Sequence, residues 1–199
     1  NQTKEVGIKP TPAIGGVGLI KNHKKMVTLD FKETNNIIIV IGKTEGHIDQ
    51  SLFARAILDE KNGPPPEVNL FNERNNGQTL LKLIEKGLVK SAHDVSLGGI
   101  ITALSKMCIS GNKGIQLTKS KNLLSELEYL FAEDQGRFII EISPKNLSEV
   151  EKILNENSVH HEKIGVIIDK VMIINTKTKV TIDELKSYNT NWLTNYMSS

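Results

Sequence analysis

The chain has 199 residues, of which 38% are hydrophobic, 24% charged and only 5% aromatic, the composition of a folded domain with an aliphatic interior. Its 25 basic and 23 acidic residues leave a formal charge of +2, and their even spread gives nucleic-acid binding no support. The longest apolar run, Ile37–Ile41, is far below the roughly 20 residues that cross a bilayer. A single cysteine, Cys108, excludes an internal disulfide framework and makes a reducing cytoplasm the expected compartment.

In chain order, residues 1–13 carry Lys, Pro and Thr without periodicity and read as a connector from an upstream domain, with one domain expected over 14–199. An opening Asn1 followed by a Pro-containing turn suggests a piece of a longer polypeptide. Residues 14–20, with three glycines, read as a bent strand or a turn, and 26–31 alternates as a strand. Ile37–Ile41 is a continuous β-branched run ended by Gly42, the pattern of a strand covered on both faces. Residues 51–60 read as a helix, ended by Asn62-Gly63-Pro64-Pro65-Pro66, and 79–86 as another, capped by Gly87. A short buried strand over 88–92 leads through a loop to helical spacing over 100–109. Residues 115–117, Arg137–Ile142, 164–168 and 171–174 read as strands, with a hairpin at Asp169-Lys170. Residues 122–130, 145–157 and 182–188 read as helices. Ser143-Pro144 and the Thr181/Glu184 capping box mark two helix starts. The expected fold class is α/β (α+β), a mixed sheet flanked by helices.

Three polar segments sit where strands give way to loops. Thr44-Glu45-Gly46-His47 follows the buried strand, where ligands tend to meet open sheets, or it is a solvated turn shaped by its glycine. Asp94-Val95-Ser96-Leu97-Gly98-Gly99 stands between a strand and a helix, an order that can leave helix amides open to a phosphate. Asp94 either holds an accompanying cation or caps the helix. The Gly-Lys-Ser/Thr ending of a nucleoside-triphosphatase loop is absent. Glu133-Asp134-Gln135-Gly136-Arg137 precedes another strand and reads as a ligand or metal site or as an acidic turn. Gly15-Gly16-Val17-Gly18 lacks the dinucleotide spacing and reads as a turn or bulge. His160-His161 has no partner at ligand spacing, and Cys108, in apolar helical surroundings, reads as a buried hydrophobe.

Taken together, Thr11-Pro12-Ala13-Ile14-Gly15-Gly16-Val17-Gly18, Thr44-Glu45-Gly46-His47, Ala92-His93-Asp94-Val95-Ser96-Leu97-Gly98-Gly99 and Glu133-Asp134-Gln135-Gly136-Arg137 resemble, in order and spacing, the second half of the synthetase subunit of the phosphoribosylformylglycinamidine synthase family. That family belongs to the superfamily of aminoimidazole ribonucleotide synthetase, selenophosphate synthetase and hydrogenase maturation proteins. The resemblance implies a fold like the aminoimidazole ribonucleotide synthetase C-terminal domain. It also implies a carbon-nitrogen ligase in purine biosynthesis that uses ATP and magnesium. ATP phosphorylates the amide oxygen of formylglycinamide ribonucleotide, and ammonia from a partner glutaminase displaces phosphate. Implied partners are upstream synthetase domains, a glutaminase subunit and a small accessory subunit.

The family's catalytic histidine and main magnesium ligands belong to the first half, so no catalytic residue is expected in this chain, and the chain alone is expected to be inactive. By internal duplication the resemblance places Asp94, Ser96, Gly98, Gly99 and Gln135 at a phosphate or nucleotide site, with Asp94, Glu133 and Asp134 at a metal. Leu97 stands where the family commonly has an aspartate, and Ala132 where a glycine is frequent. Two other classes stay open: a phosphate-binding domain of another superfamily member, and a structural or docking module.

Overall fold

A computed structural model describes residues 2–3, 6–7, 12–118 and 123–198. Strands β1 (Gln2–Thr3) and β2 (Val6–Gly7) form a small antiparallel ribbon. Residues 12–26 are then exposed and, apart from the 3-10 turn His23–Lys25, lack regular structure, so no strand forms over 14–20. The strand expected over 26–31 is reduced to one bridge, Thr28 beside Ser91. Most of the connector read over 1–13, together with Asn122, lies outside the described residues.

The main sheet holds seven strands: β3 (Ile37–Ile41), β4 (Val89–Val95), β5 (Gly114–Leu117), β6 (Arg137–Ile142), β7 (His161–Ile168), β8 (Val171–Ile173) and β9 (Lys179–Thr181). Their order is β4-β6-β3-β7-β5-β8-β9, and every pairing is antiparallel except β5 with β8. The sheet is therefore mixed, as the sequence implies. β3 lies inside it, and all five of its residues are buried. Alternation then divides the core. Ile38 and Val40 pack on one face with Ile100, Leu104 and Met107 of α3 (Gly99–Gly111) and Leu130 of α4 (Glu126–Phe131). Ile37, Ile39 and Ile41 pack on the other with Leu80 and Leu83 of α2 (Leu70–Glu85) and Val150 and Leu154 of α5 (Leu147–Glu156). Full burial of each such side chain is worth about 1.5 to 3 kcal/mol, and β3 contributes to both layers.

Several boundaries move for identifiable reasons. α1 is only Leu52–Ala56, started by Ser51 accepting from the Ala54 amide. α2 begins nine residues before the expected 79, where Asn69 accepts from the Asn72 amide at 3.0 Å; its first half is polar and hides the helical period. α6 (Ile182–Ser198) runs beyond 188, and Thr181 Oγ1 accepts from the Glu184 amide at 3.2 Å, one of the two bonds of a capping box. Ser143 makes no side-chain cap, although Pro144 does open a 3-10 turn. Asp169-Lys170 does turn the chain, but β7 and β8 are not a hairpin, because β5 lies between them. Gly114 makes the parallel β5–β8 contact possible: a Cβ there would stand 1.9 Å from the Val171 carbonyl oxygen.

Cys108 and Glu141 are both buried ionisable groups. Cys108 is fully buried on α3, and burial pushes its thiol up to about 12 from 9.0. The folded chain thus holds this proton after the unfolded chain has lost it, so the thiol's effect on stability is negative as pH rises from 9 toward 12. At pH 8 an aromatic disulfide reagent should leave Cys108 untouched in the native chain and titrate it fully in denaturant; fast native reaction would contradict the burial. Glu141 is 0% exposed in β6. Its carboxylate accepts from the Lys32 amide at 2.8 Å, the Glu33 amide at 3.0 Å, Asn36 Nδ2 at 2.7 Å and Ser91 Oγ at 2.9 Å. These bonds fasten the loop before β3 to both β6 and β4.

Candidate functional site

β3 and β4 both run antiparallel to β6, with Ile41 opposite Phe138 and Val95 opposite Arg137. The ends of β3 and β4 and the start of β6 therefore meet at one edge of the sheet. This topology gathers the three polar segments that are far apart in sequence.

The turn between α4 and β6 holds the other two. Asp134 is buried and accepts three amides of the loop after β3: Glu45 at 3.0 Å, Gly46 at 3.2 Å and His47 at 3.1 Å. Glu133 Oε1 accepts the Leu52 amide at 2.7 Å and the Gly98 amide at 2.8 Å. Arg137 lies beneath, its side chain wholly buried. It donates from Nε to the Asp134 carbonyl at 3.1 Å, from Nη1 to Thr44 Oγ1 at 3.0 Å and from Nη2 to the Ala132 carbonyl at 2.7 Å. Burial lowers the guanidinium pKa from its ordinary value, and the neighbouring Asp134 charge works against that shift. The acidic pair and the arginine are therefore bound into one internal network.

Gly98 and Gly99 are buried and both have positive φ. A Cβ on Gly99 would stand 2.6 Å from the Leu130 carbonyl oxygen and 2.7 Å from that of Ala132, so glycine is needed for α3 to start against the end of α4. The N-cap of α3 is Gly98, without a side-chain cap. Asp94 does not cap this helix: it belongs to β4, is exposed and accepts from His93 Nδ1 at 2.8 Å. Sequence spacing placed it one turn too early because the strand runs on to Val95. Ser96 is exposed, and its carbonyl accepts the Gly99 amide at 3.0 Å.

Gln135 is exposed, donates from Nε2 to the Glu133 carbonyl at 3.4 Å and lines a polar cleft of about 520 Å³. The cleft is also lined by Lys43, Asn69, Asn72, Glu73 and Asn76. The asparagines recur at i, i+3 and i+7, one face of α2, a signal available in the sequence once the helix is started at Asn69. Asn76 donates to the Gly136 carbonyl at 2.9 Å, which joins α2 to the same network.

The expected metal ligands are not assembled. Glu133 and Asp134 spend carboxylate oxygens on backbone amides, Asp94 pairs with His93, and among the described residues no group of three His, Cys, Asp or Glu side chains is placed to hold a metal ion. These residues do not fit magnesium, nor does the buried, already bonded Gly98 amide fit an incoming phosphate. His161 Nδ1 bonds the Val159 carbonyl at 3.0 Å, a local role. No helix among the described residues is long and apolar enough to cross a membrane.

A family profile described as AIR synthase related protein, C-terminal domain, matches residues 33–175. Phosphoribosylformylglycinamidine synthase subunit PurL of Pelagibacter ubique is 67% identical over 199 residues, 100% of this chain and 27% of that protein. The subunit PurL of Caldanaerobacter subterraneus is 37% identical over 183 residues, 92% of this chain and 25% of that protein. Among solved structures, T. maritima PurL complexed with FGAR has a TM-score of 0.69 at 19% identity, covering 82% of this chain and 30% of that one, which is a likeness of fold. The chain spans about a quarter of the length of the curated relatives it matches. With the profile covering the sheet from β3 to β8 and the three polar segments at its edge, the chain belongs to the family of AIR synthase related proteins, C-terminal domain.

Proposed function

We propose that this chain serves as the C-terminal domain of a phosphoribosylformylglycinamidine synthase synthetase subunit. The observation that carries the reading is the 67% identity to the Pelagibacter ubique subunit along all 199 residues. It favours this enzyme over another member of the superfamily. The whole enzyme would convert formylglycinamide ribonucleotide, ATP and glutamine-derived ammonia to the amidine in the cytoplasm. Phosphorylating the amide oxygen makes it a leaving group that ammonia can displace. Partners would be the upstream synthetase domains, a glutaminase subunit and a small accessory subunit, with ATP and magnesium held mainly by the upstream domains.

In this reading the present residues supply shape rather than a reacting group. Glu133, Asp134 and Arg137 fix three loops at one sheet edge, and Lys43, Asn72, Asn76 and Gln135 offer a polar cleft beside them. The isolated chain should then form no amidine from substrate, ATP, magnesium and ammonia. A chimera tests the positive claim: this chain replaces the matching segment of the Pelagibacter ubique subunit. The chimera should retain activity within about tenfold of the parent, a change of roughly 1.4 kcal/mol in the barrier. A folded chimera that turns over no substrate would overturn the assignment.

A further inference from the structure

Residues 14–20 carry four large apolar side chains on the outside of the fold. Ile14 and Leu19 are 91% exposed, Ile20 60% and Val17 completely, and the segment makes no backbone hydrogen bond to another described residue. Single exposed apolar residues are ordinary, but four within seven positions form a patch of the kind that folded proteins keep for contacts. The glycines among them point the same way. A Cβ on Gly15, Gly16 or Gly18 would meet nothing within 4 Å, and none of the three has the positive φ that favours glycine. A Cβ on Gly99 or Gly114 would instead stand 2.6 or 1.9 Å from a carbonyl oxygen of this chain. Glycine costs conformational entropy in an extended segment, and in a strand it marks the close approach of another backbone. No described part of this chain makes that approach to residues 14–20. Strand alternation would set Val17 and Leu19 on one face and Gly16 and Gly18 on the other, between Ile14 and Ile20. The family profile begins at residue 33, after this segment. The likeness to the Pelagibacter ubique subunit, however, runs through all 199 residues and takes up only 27% of that protein.

We propose that residues 14–20 are an inter-domain docking edge, occupied in the full synthetase subunit by the part of that subunit outside this chain. There they lie as an extended strand along a sheet edge, with Val17 and Leu19 against an apolar surface and the glycines letting the two backbones close. The inference rests on the assignment to a synthetase subunit, since that assignment supplies the occupant. It also explains why a stretch with strand-like spacing forms no strand here: its pairing partner is not among these 199 residues.

Amide exchange tests this by comparing the chain alone with the full-length chimera, in which it takes its place in the Pelagibacter ubique subunit. In the chain alone the amides of residues 15–20 should exchange at the rate of open loops, and in the chimera at least about 100-fold more slowly. Gly16→Val and Val17→Asp separate docking from folding. Each should leave the melting temperature of the chain alone within about 1 °C, as expected at an exposed position. In the chimera each should speed exchange of 15–20 at least about tenfold. If a variant chimera does not fold, the unsubstituted pair still decides. Amidine formation is read separately. A folded chimera that protects 15–20 but makes no amidine counts against the synthase assignment and supports the docking edge. One that makes amidine while 15–20 exchange as in the chain alone overturns the docking edge and leaves the assignment standing. A chimera that cannot fold counts against both. Protection of 15–20 in the chain alone, accompanied by self-association in sedimentation, would make a second copy the occupant and overturn the proposal. So would an equal loss of stability from both variants in the chain alone.

Discussion

Glu141→Leu should lower the unfolding free energy by about 4 kcal/mol, because a buried donor that loses its acceptor costs about 1 to 3 kcal/mol and four donors converge here. The loss stays below the sum of four. The Lys32 and Glu33 amides are only partly buried and can turn toward water, whereas Asn36 and Ser91 cannot. Glu141→Gln should cost less than Glu141→Leu while remaining destabilising, since the amide oxygen still accepts but its NH2 group faces donors. Urea unfolding followed by circular dichroism gives the comparison. Against a total of about 5 to 15 kcal/mol for a domain, the leucine variant should be populated unfolded at low denaturant. A loss below about 1 kcal/mol would mean that the carboxylate does not hold the loop before β3.

Arg137→Met should cost about 3 to 5 kcal/mol, the range for removing one partner of a buried charged network. The methionine fills the volume but leaves the Ala132 and Asp134 carbonyls without the donor they now share. Asp134 keeps its three amide donors but loses the counter-charge of Arg137 Nη1 at 3.8 Å, so the loss should fall on the α4–β6 turn, the Thr44 contact and the buried carboxylate together. Arg137→Lys keeps the charge and loses the fork, and should fall between the two. Equal stability of the lysine variant and the native chain would show that the guanidinium geometry carries no weight.

The strands were legible where one physical signal ruled alone. Ile37–Ile41 and Arg137–Ile142 appear with the bounds read from the sequence, because runs of Ile and Val have few other stable placements. Residues 26–31 alternate too, but they lie outside the edge of the sheet and make one bridge, a matter of tertiary position that period cannot reveal. The expected hairpin at Asp169-Lys170 failed for a similar reason. Turn chemistry gives the reversal of the chain, while insertion of β5 between the two strands depends on pairings distant in sequence, such as Ile115 with Ile167 and with Met172. α2 was cut short because its first half carries Asn72, Asn75 and Asn76, which line a cleft or bond the Asn157 and Gly136 carbonyls instead of repeating an apolar face.

The site was half legible. The three polar segments do meet, and topology explains why, since the ends of β3 and β4 flank the start of β6. Their roles were harder to read, because a carboxylate that binds a ligand and one that binds backbone amides have the same sequence. One signal was available for the buried charges. Arg137 opens an otherwise apolar strand and Glu141 is its penultimate residue, and charged residues are almost never fully buried without dedicated partners. Reading them as anchors points to the loops before β3 and after α4.

The carboxylates of the acidic pair after α4 are bonded to amides of the neighbouring loops. Amide hydrogen exchange measures this most directly, because amides held by a side chain reopen with the local structure that holds them. The amides of Glu45, Gly46, His47, Leu52 and Gly98 should exchange slowly in the native chain although they lie outside the sheet ladder. Asp134→Asn should speed Glu45, Gly46 and His47 selectively, and Glu133→Gln should speed Leu52 and Gly98. Exchange of all five at the rate of open loops in the native chain would show that the two carboxylates do not hold them.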